Sequence, residues 1–223
     1  MATDWLAWHE QYANDGPLNR RLELVRGFIR AALDALPPGE IRVLSMCAGD
    51  GRDILGVLAG HPRSEDVSAR LVELEPALAE RARTEAARLG LSRVEVAGGD
   101  AGVSDAYEGI APVHLALVCG VFGNVTNEDV HTTIARLPEL CAAGAHAIWT
   151  RGTFEPDLTP QIRRWFQDAL FRDLAFARVP ETTVAAGHAV LEGAPLPFQR
   201  GVRLFTFLPD AERPSQRALR GRA

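Results

Sequence analysis

Apolar and polar positions along this chain follow two periods in turn. Between residues 18 and 36, Leu22, Val25, Phe28, Ile29 and Leu33 recur at three- and four-residue spacing, which predicts a helix with one buried face. Pro37, Pro38 and Gly39 stop it. A shorter helix capped by Thr3 is expected over residues 3–13. After residue 40, short apolar runs alternate with helical patterns: strand 41–46, helix 52–60, strand 69–74, helix 76–89, strands 93–97 and 113–119, helix 127–140, strand 145–150 and helix 159–170. Serial winding of this kind builds a parallel sheet with helices on both faces. The nearly unbroken apolar run at 114–121 suits a central strand covered on both sides. Pro76 fits the first turn of its helix, and Gly90 fits the stop. Beyond residue 170, two further strands are expected at 174–179 and 202–208, joined by a long loop. No crossover helix lies between them, so they should be antiparallel neighbours. The fold class is α/β, a doubly wound seven-stranded, mostly parallel sheet with an antiparallel last strand.

With 223 residues and 47% hydrophobic content the chain can bury one large core. Three parts are expected: helices over 1–36 as lid and cover, an α/β core over 37–209, and a flexible Arg-rich tail over 210–223. A net charge of −5 argues against a surface dedicated to nucleic acid. All 24 basic residues are Arg. The absence of Lys excludes a P-loop, whose lysine sits on the phosphates, and Schiff-base or pyridoxal chemistry, which needs an amine. Cys47, Cys119 and Cys141 are odd in number and lie in or beside apolar runs, as small buried residues of a reduced compartment do. The start, with Asp4, Trp5, Trp8 and Glu10, lacks the pattern of a signal peptide, and no apolar stretch reaches the length of a membrane span. A soluble cytoplasmic protein with no membrane partner is expected.

Residues 41–53 carry the densest chemistry. A buried strand runs into Gly49-Asp50-Gly51, which lets the backbone turn sharply and approach a ligand, while the following helix offers free N–H groups to an anion. In a doubly wound sheet ligands sit beyond the carboxyl ends of the strands. The segments that matter are therefore 47–53, 73–75, 99–101, 119–124 and 150–154. Glu73 follows Gly51 by 22 residues, a spacing that lets a carboxylate accept from a ribose diol. The dinucleotide fingerprint wants a third glycine where Ile54 stands, which counts against a nicotinamide-dependent oxidoreductase.

On these motifs, residues 17–208 resemble the class I S-adenosylmethionine-dependent methyltransferases, whose fold is Rossmann-like. Residues 43–53 resemble that family's acid-x-Gly-x-Gly-x-Gly loop. The run 71–76 resembles its ribose-binding strand end, 98–101 its adenine-contacting segment, and 117–124 its fourth strand with the loop facing the methyl group. The resemblance implies S-adenosyl-L-methionine as cofactor. Gly49 and Gly51, with Cys47 and Ala48, would face its methionine part. Glu73 would hold the ribose, Leu74 would pack on the adenine, Asp100 and the Ala101 backbone would meet the adenine edge, and Cys119 and Gly120 would flank the methyl group. The chain departs from the pattern at Ser45, where the family places an acid, and at Cys47, where it places its first glycine; Asp53 or Asp50 could compensate. Taken singly, Glu73 reads equally as a solvated strand end and Asp100 as a turn former.

Methyl transfer needs in-line approach, exclusion of water and sometimes a base. Of six histidines, His188 is the candidate base, because the loop assigned to it leaves the sheet at the ligand face. His114 and His146 sit early in their strands, His61 on the far side, His131 in a helix, and His9 in the first helix. Asn124 could orient an acceptor or make only a local bond. Arg151 could hold an acidic acceptor or pair with Glu155. Trp5, Trp8 and Tyr12 share a helical face that could close over the cofactor as a lid. The resulting expectation is a methyltransferase acting on an O, N or C atom of a small-molecule acceptor, with no metal ligands, no nucleic-acid partner and a homodimer left open. The alternatives are an S-adenosylmethionine lyase or cyclase on the same fold, or a noncatalytic binding protein.

Overall fold

The computed structural model describes Trp5 and residues 16–213. The expected helix over 3–13, Trp5 apart, and the tail beyond 213 lie outside the described residues. Helix α1 (Pro17–Ala35) opens with proline in its first turn and buries Leu22, Val25, Ile29, Ala32 and Leu33 on the expected face. Its last carbonyls lack helical donors. Arg63 supplies them, donating to Leu33 O at 3.0 Å and Leu36 O at 2.6 Å.

The winding then proceeds through β1 (Ile41–Met46), α2 (Ile54–Leu58), β2 (Val67–Glu73), α3 (Pro76–Arg88), β3 (Val94–Gly98), β4 (Val113–Val118), α4 (Asn127–Leu140), β5 (Cys141–Gly152) and α5 (Thr159–Asp168). A hairpin, β6 (Phe171–Arg178) and β7 (Val184–Leu191), completes seven strands in the order β3-β2-β1-β4-β5-β7-β6. β7 is antiparallel to both neighbours and the other pairs are parallel. The order reverses between β1 and β4, the place where a ligand crevice opens in such a sheet.

Alternation along β1 divides the core. Val43 faces α1, α2 and α3, whereas Leu44 and Met46 face α4 and α5. The predicted helix 52–60 contracts to the five residues of α2, because Asp53 accepts the Ile54 N–H at 2.7 Å and so caps the helix there.

The last strand differs from expectation. Residues 184–191 pair between β5 and β6, while 202–208 run as an extended return whose bonds go to loops. A single bridge joins Arg203 to Val103, and Leu204 N donates to Gly102 O at 2.8 Å. The sequence of β7 looks loop-like because its residues are small. That smallness has a packing cause: a Cβ at Gly187 would lie 2.3 Å from the Trp149 ring, so only glycine lets the indole lie across β7. Arg213, within the segment expected as a tail, is buried and lies over Trp5, 4.8 Å from the ring centre.

Candidate functional site

The glycine turn after β1 holds three residues in the left-handed region, Cys47 at φ 50°, Gly49 at 59° and Gly51 at 70°. A Cβ at Gly51 would come within 2.7 Å of Leu71 and 2.9 Å of Leu55, so the turn is packed as well as bent. Ala48 N donates to Val72 O at 3.0 Å and ties the turn to β2. At the end of β2, Glu73 is buried with both oxygens accepting from backbone: Oε2 from Gly49 N at 2.7 Å and Oε1 from Glu75 N at 2.8 Å. One carboxylate thus fixes the turn after β1 against the turn after β2. Next to it Leu74 is 70% exposed, a large apolar side chain held out at the strand end.

These residues line a cavity of about 730 Å³ at the carboxyl ends of the strands. Cys47, Ala48, Asp53, Glu73 and Leu74 form one end, with Asp100 and Ala101 from the turn after β3. Asp100 accepts from Gly102 N at 2.8 Å and pairs with Arg203 at 2.5 Å; Tyr107 Oη donates to the Ala101 carbonyl and steadies that turn. Cys119, Gly120 and Asn124 lie on the wall above β4. Gly120 N donates to Thr150 Oγ1 at 2.9 Å, and Asn124 Nδ2 donates to Gly120 O at 2.6 Å, so the loop after β4 is hydrogen-bonded to itself and to β5. Gly49 and Gly51 shape the turn from behind the lining, and Asp50 is engaged by Arg52, 2.8 Å from its Nε.

Electrostatics fix protonation states. Burial, reinforced by Glu73 and Asp100, pushes the Cys47 thiol up, and burial does the same to Cys119, so both stay protonated. Burial also raises the Asp53 carboxyl, against the opposing pull of Arg21.

His188 is not at the cavity. It sits within β7 opposite Ile148, 4% exposed, with its Nε2 2.7 Å from Nδ1 of His146. Burial, with His146 adding to it, lowers its pKa to about 4, and burial lowers His146 too; the pair is neutral and belongs to the core. The expectation failed because it rested on the strand assignment at 202–208.

Arg151 does reach the cavity, from the end of β5. It is buried, donates from Nη1 to Phe122 O, and lies 5.0 Å over the Phe154 ring. Sequence reasoning overlooked the rest of this end: Leu18, Arg21, Leu22 and Val25 of α1, residues 183–185 at the start of β7, and Phe205 and Phe207 of the return. Periodicity marked the α1 face as core. Arg21 in the middle of that apolar stripe was the available sign that part of it borders a ligand space.

The family described as "Putative methyltransferase" matches residues 18–166. The chain belongs to that methyltransferase family. The matched span runs from α1 into α5 and contains every predicted site residue except His188. Solved methyltransferases share the fold of this one. 1,6-Didemethyltoxoflavin-N1-methyltransferase of Burkholderia thailandensis, with 1,6-didemethyltoxoflavin and S-adenosylhomocysteine bound, is 20% identical with TM-score 0.59, over 78% of this chain and 79% of that one. Magnesium protoporphyrin IX methyltransferase of Synechocystis PCC 6803, with S-adenosylmethionine bound, is 11% identical with TM-score 0.65, over 85% and 92%. No curated protein matches this methyltransferase in sequence. No helix among its described residues is long and apolar enough to cross a membrane.

Proposed function

We propose that this methyltransferase transfers the methyl group of S-adenosyl-L-methionine to an O, N or C atom of a small molecule held in the same cavity. The observation that carries the proposal is the joining of the Gly49 turn to β2 by Glu73, beside an outward-held Leu74, at the switch point of the sheet. Glu73 keeps lone pairs for a ribose diol, Leu74 offers an apolar face to an adenine, and Asp100 and Ala101 offer polar groups to its edge. Asp53, which lines the cavity where Asp50 does not, receives the cofactor's ammonium group and thereby makes good the missing acid at Ser45. The two neighbours with cofactor or product bound act on small molecules by name, in keeping with a cavity of this size.

When bound, the sulfonium supplies an activated methyl group: the acceptor's lone pair bonds the methyl carbon, the carbon–sulfur bond breaks, and S-adenosylhomocysteine is left. The protein's part is placement. No histidine lines the cavity among the described residues, and both thiols there are protonated. Close approach and exclusion of water, with Cys119, Gly120 and the rings of Phe154, Phe205 and Phe207 lining the space, carry the step. Calorimetric titration with S-adenosylmethionine, S-adenosylhomocysteine and NAD tests the cofactor: the first two should bind one per chain and NAD should not. Chromatography of the product tests the reaction, which should give S-adenosylhomocysteine only when an acceptor is added. Methylthioadenosine formed without an acceptor would instead establish a lyase.

A further inference from the structure

Among the described residues five arginines line the cavity, and three of them are ion-paired. Arg52 pairs with Asp50, Arg203 with Asp100 and Arg213 with Asp210, while Arg21 acts on Asp53. Arg151 differs. It is 5% exposed, and among the described residues its one hydrogen bond goes from Nη1 to the Phe122 carbonyl while its buried Nε–H has no acceptor. The carboxylates near it are used elsewhere or turned away. Asp157 accepts from Thr159 through Oδ1 and pairs with Arg178 through Oδ2, and Glu155, the partner the sequence offers, is exposed.

A guanidinium with no carboxylate in contact, in a largely apolar compartment, is costly unless a ligand completes it. Arg151 keeps its charge at neutral pH, since burial, opposed by Asp157 acting through space, lowers it only to about 10. The space beside it is open because its partner across the strand pair is Ala185, and Leu22, Val25 and Phe154 supply apolar walls. Position separates this end from the cofactor end. β5 lies three strands from β2, about 14 Å at ordinary strand spacing, so Arg151 cannot share a ribose with Glu73.

We infer that the methyl acceptor is an apolar molecule bearing a carboxylate, and that Arg151 binds this carboxylate across the cavity from the cofactor. The inference rests on the function proposed above. Phe154 lies against the guanidinium, and the carboxylate meets the guanidinium where it borders the cavity. A carboxylate could also come from the methionine part of the cofactor, and the test separates the two sources.

The whole chain is titrated with phenylacetate, 3-phenylpropionate and octanoate, and with their primary amides, with and without saturating S-adenosylhomocysteine. At least one acid should raise the melting temperature of the loaded protein while its amide does not. In Arg151→Gln, checked for fold by circular dichroism, that acid should bind at least about tenfold more weakly, one charge-assisted hydrogen bond's worth. S-adenosylhomocysteine affinity should stay at the wild-type value. Equal response to acid and amide, or no response to any acid, overturns the inference. So does a loss of S-adenosylhomocysteine affinity in Arg151→Gln, which would assign the anion site to the cofactor. If S-adenosylhomocysteine fails to bind the wild type while an acid does, the cofactor proposal falls and the anion site stands. Should Arg151→Gln not fold, the acid–amide contrast in the wild type and the weakened acid binding expected of Arg151→Lys, which keeps charge but loses the planar fork, decide the matter.

Discussion

At the scale of single residues, two side chains show how environment outranks residue type. Glu73 is a carboxylate whose two oxygens each take a backbone N–H, from Gly49 and from Glu75. An amide can replace only one of these acceptors, because its nitrogen turns a donor toward the other N–H. Glu73→Gln should therefore strand one buried donor, at a cost of about 1–3 kcal/mol. In the proposed function the same group faces the cofactor, so affinity for S-adenosylhomocysteine should fall roughly ten- to hundredfold in calorimetry; undiminished binding would remove Glu73 from the site. His188 carries its consequence into stability. Its native pKa of about 4 lies below the free value, so between about pH 6.5 and pH 4 the unfolded chain takes up a proton that the native chain refuses. Native stability is thus full above that window and declines as pH falls through it, by up to about 1.4 kcal/mol per pH unit for one proton. His188→Gln should flatten this decline. Melting temperatures measured at pH 7 and pH 5 should lie closer together in the variant than in the wild type.

Elements that combine a clear period with their own stop signals were legible in the sequence, and elements defined by a distant partner were not. β1 and α4 fall where the pattern puts them, because the first is a continuous apolar strand and the second is capped by Thr126, whose Oγ1 accepts from Asp129 N at 3.0 Å. β7 could not be seen: its Gly187 is required by Trp149, a residue on another strand. The end of the cavity proposed for the cofactor is built from turns that follow strands, which spacing can mark. The end proposed for the acceptor is made where α1, the start of β7 and the return at 203–207 meet, and nothing local announces such a meeting. Trp5 joins that wall, its ring 5.8 Å from Phe207. A truncated protein lacking residues 1–14 loses Trp5 from this wall and keeps all seven strands. It should keep its far-ultraviolet circular dichroism and bind S-adenosylhomocysteine about tenfold more weakly, the loss expected when roughly 1.4 kcal/mol of aromatic cover is taken away. Wild-type affinity in the truncated protein would show that this segment does not cover the cofactor.

On the scale of the whole molecule, the cavity is where segments distant along the chain are made to agree. Its walls come from α1, from the turns after β1, β2 and β3, from the loop after β4, from the end of β5, from the start of β7 and from the return. The return is stitched across the open face: Val202 N donates to Ser104 Oγ at 3.0 Å, Thr133 Oγ1 to Leu204 O at 3.0 Å, and Leu208 N to Asn124 O at 2.8 Å. A ligand in this space touches both halves of the sheet and the strap over them, contacts that exist only in the native state. Its binding energy must then appear as folding stability. At one hundred times its dissociation constant, S-adenosylhomocysteine should add about 2.7 kcal/mol. For a chain of this length that amounts to a rise of roughly 5–10 °C in melting temperature. The rise should come as one displaced transition, because no wall of the cavity belongs to a separately folding part. Two transitions, with only one moved by the ligand, would mean that the strap and the sheet unfold independently and that the cavity is closed by docking, not by the fold itself.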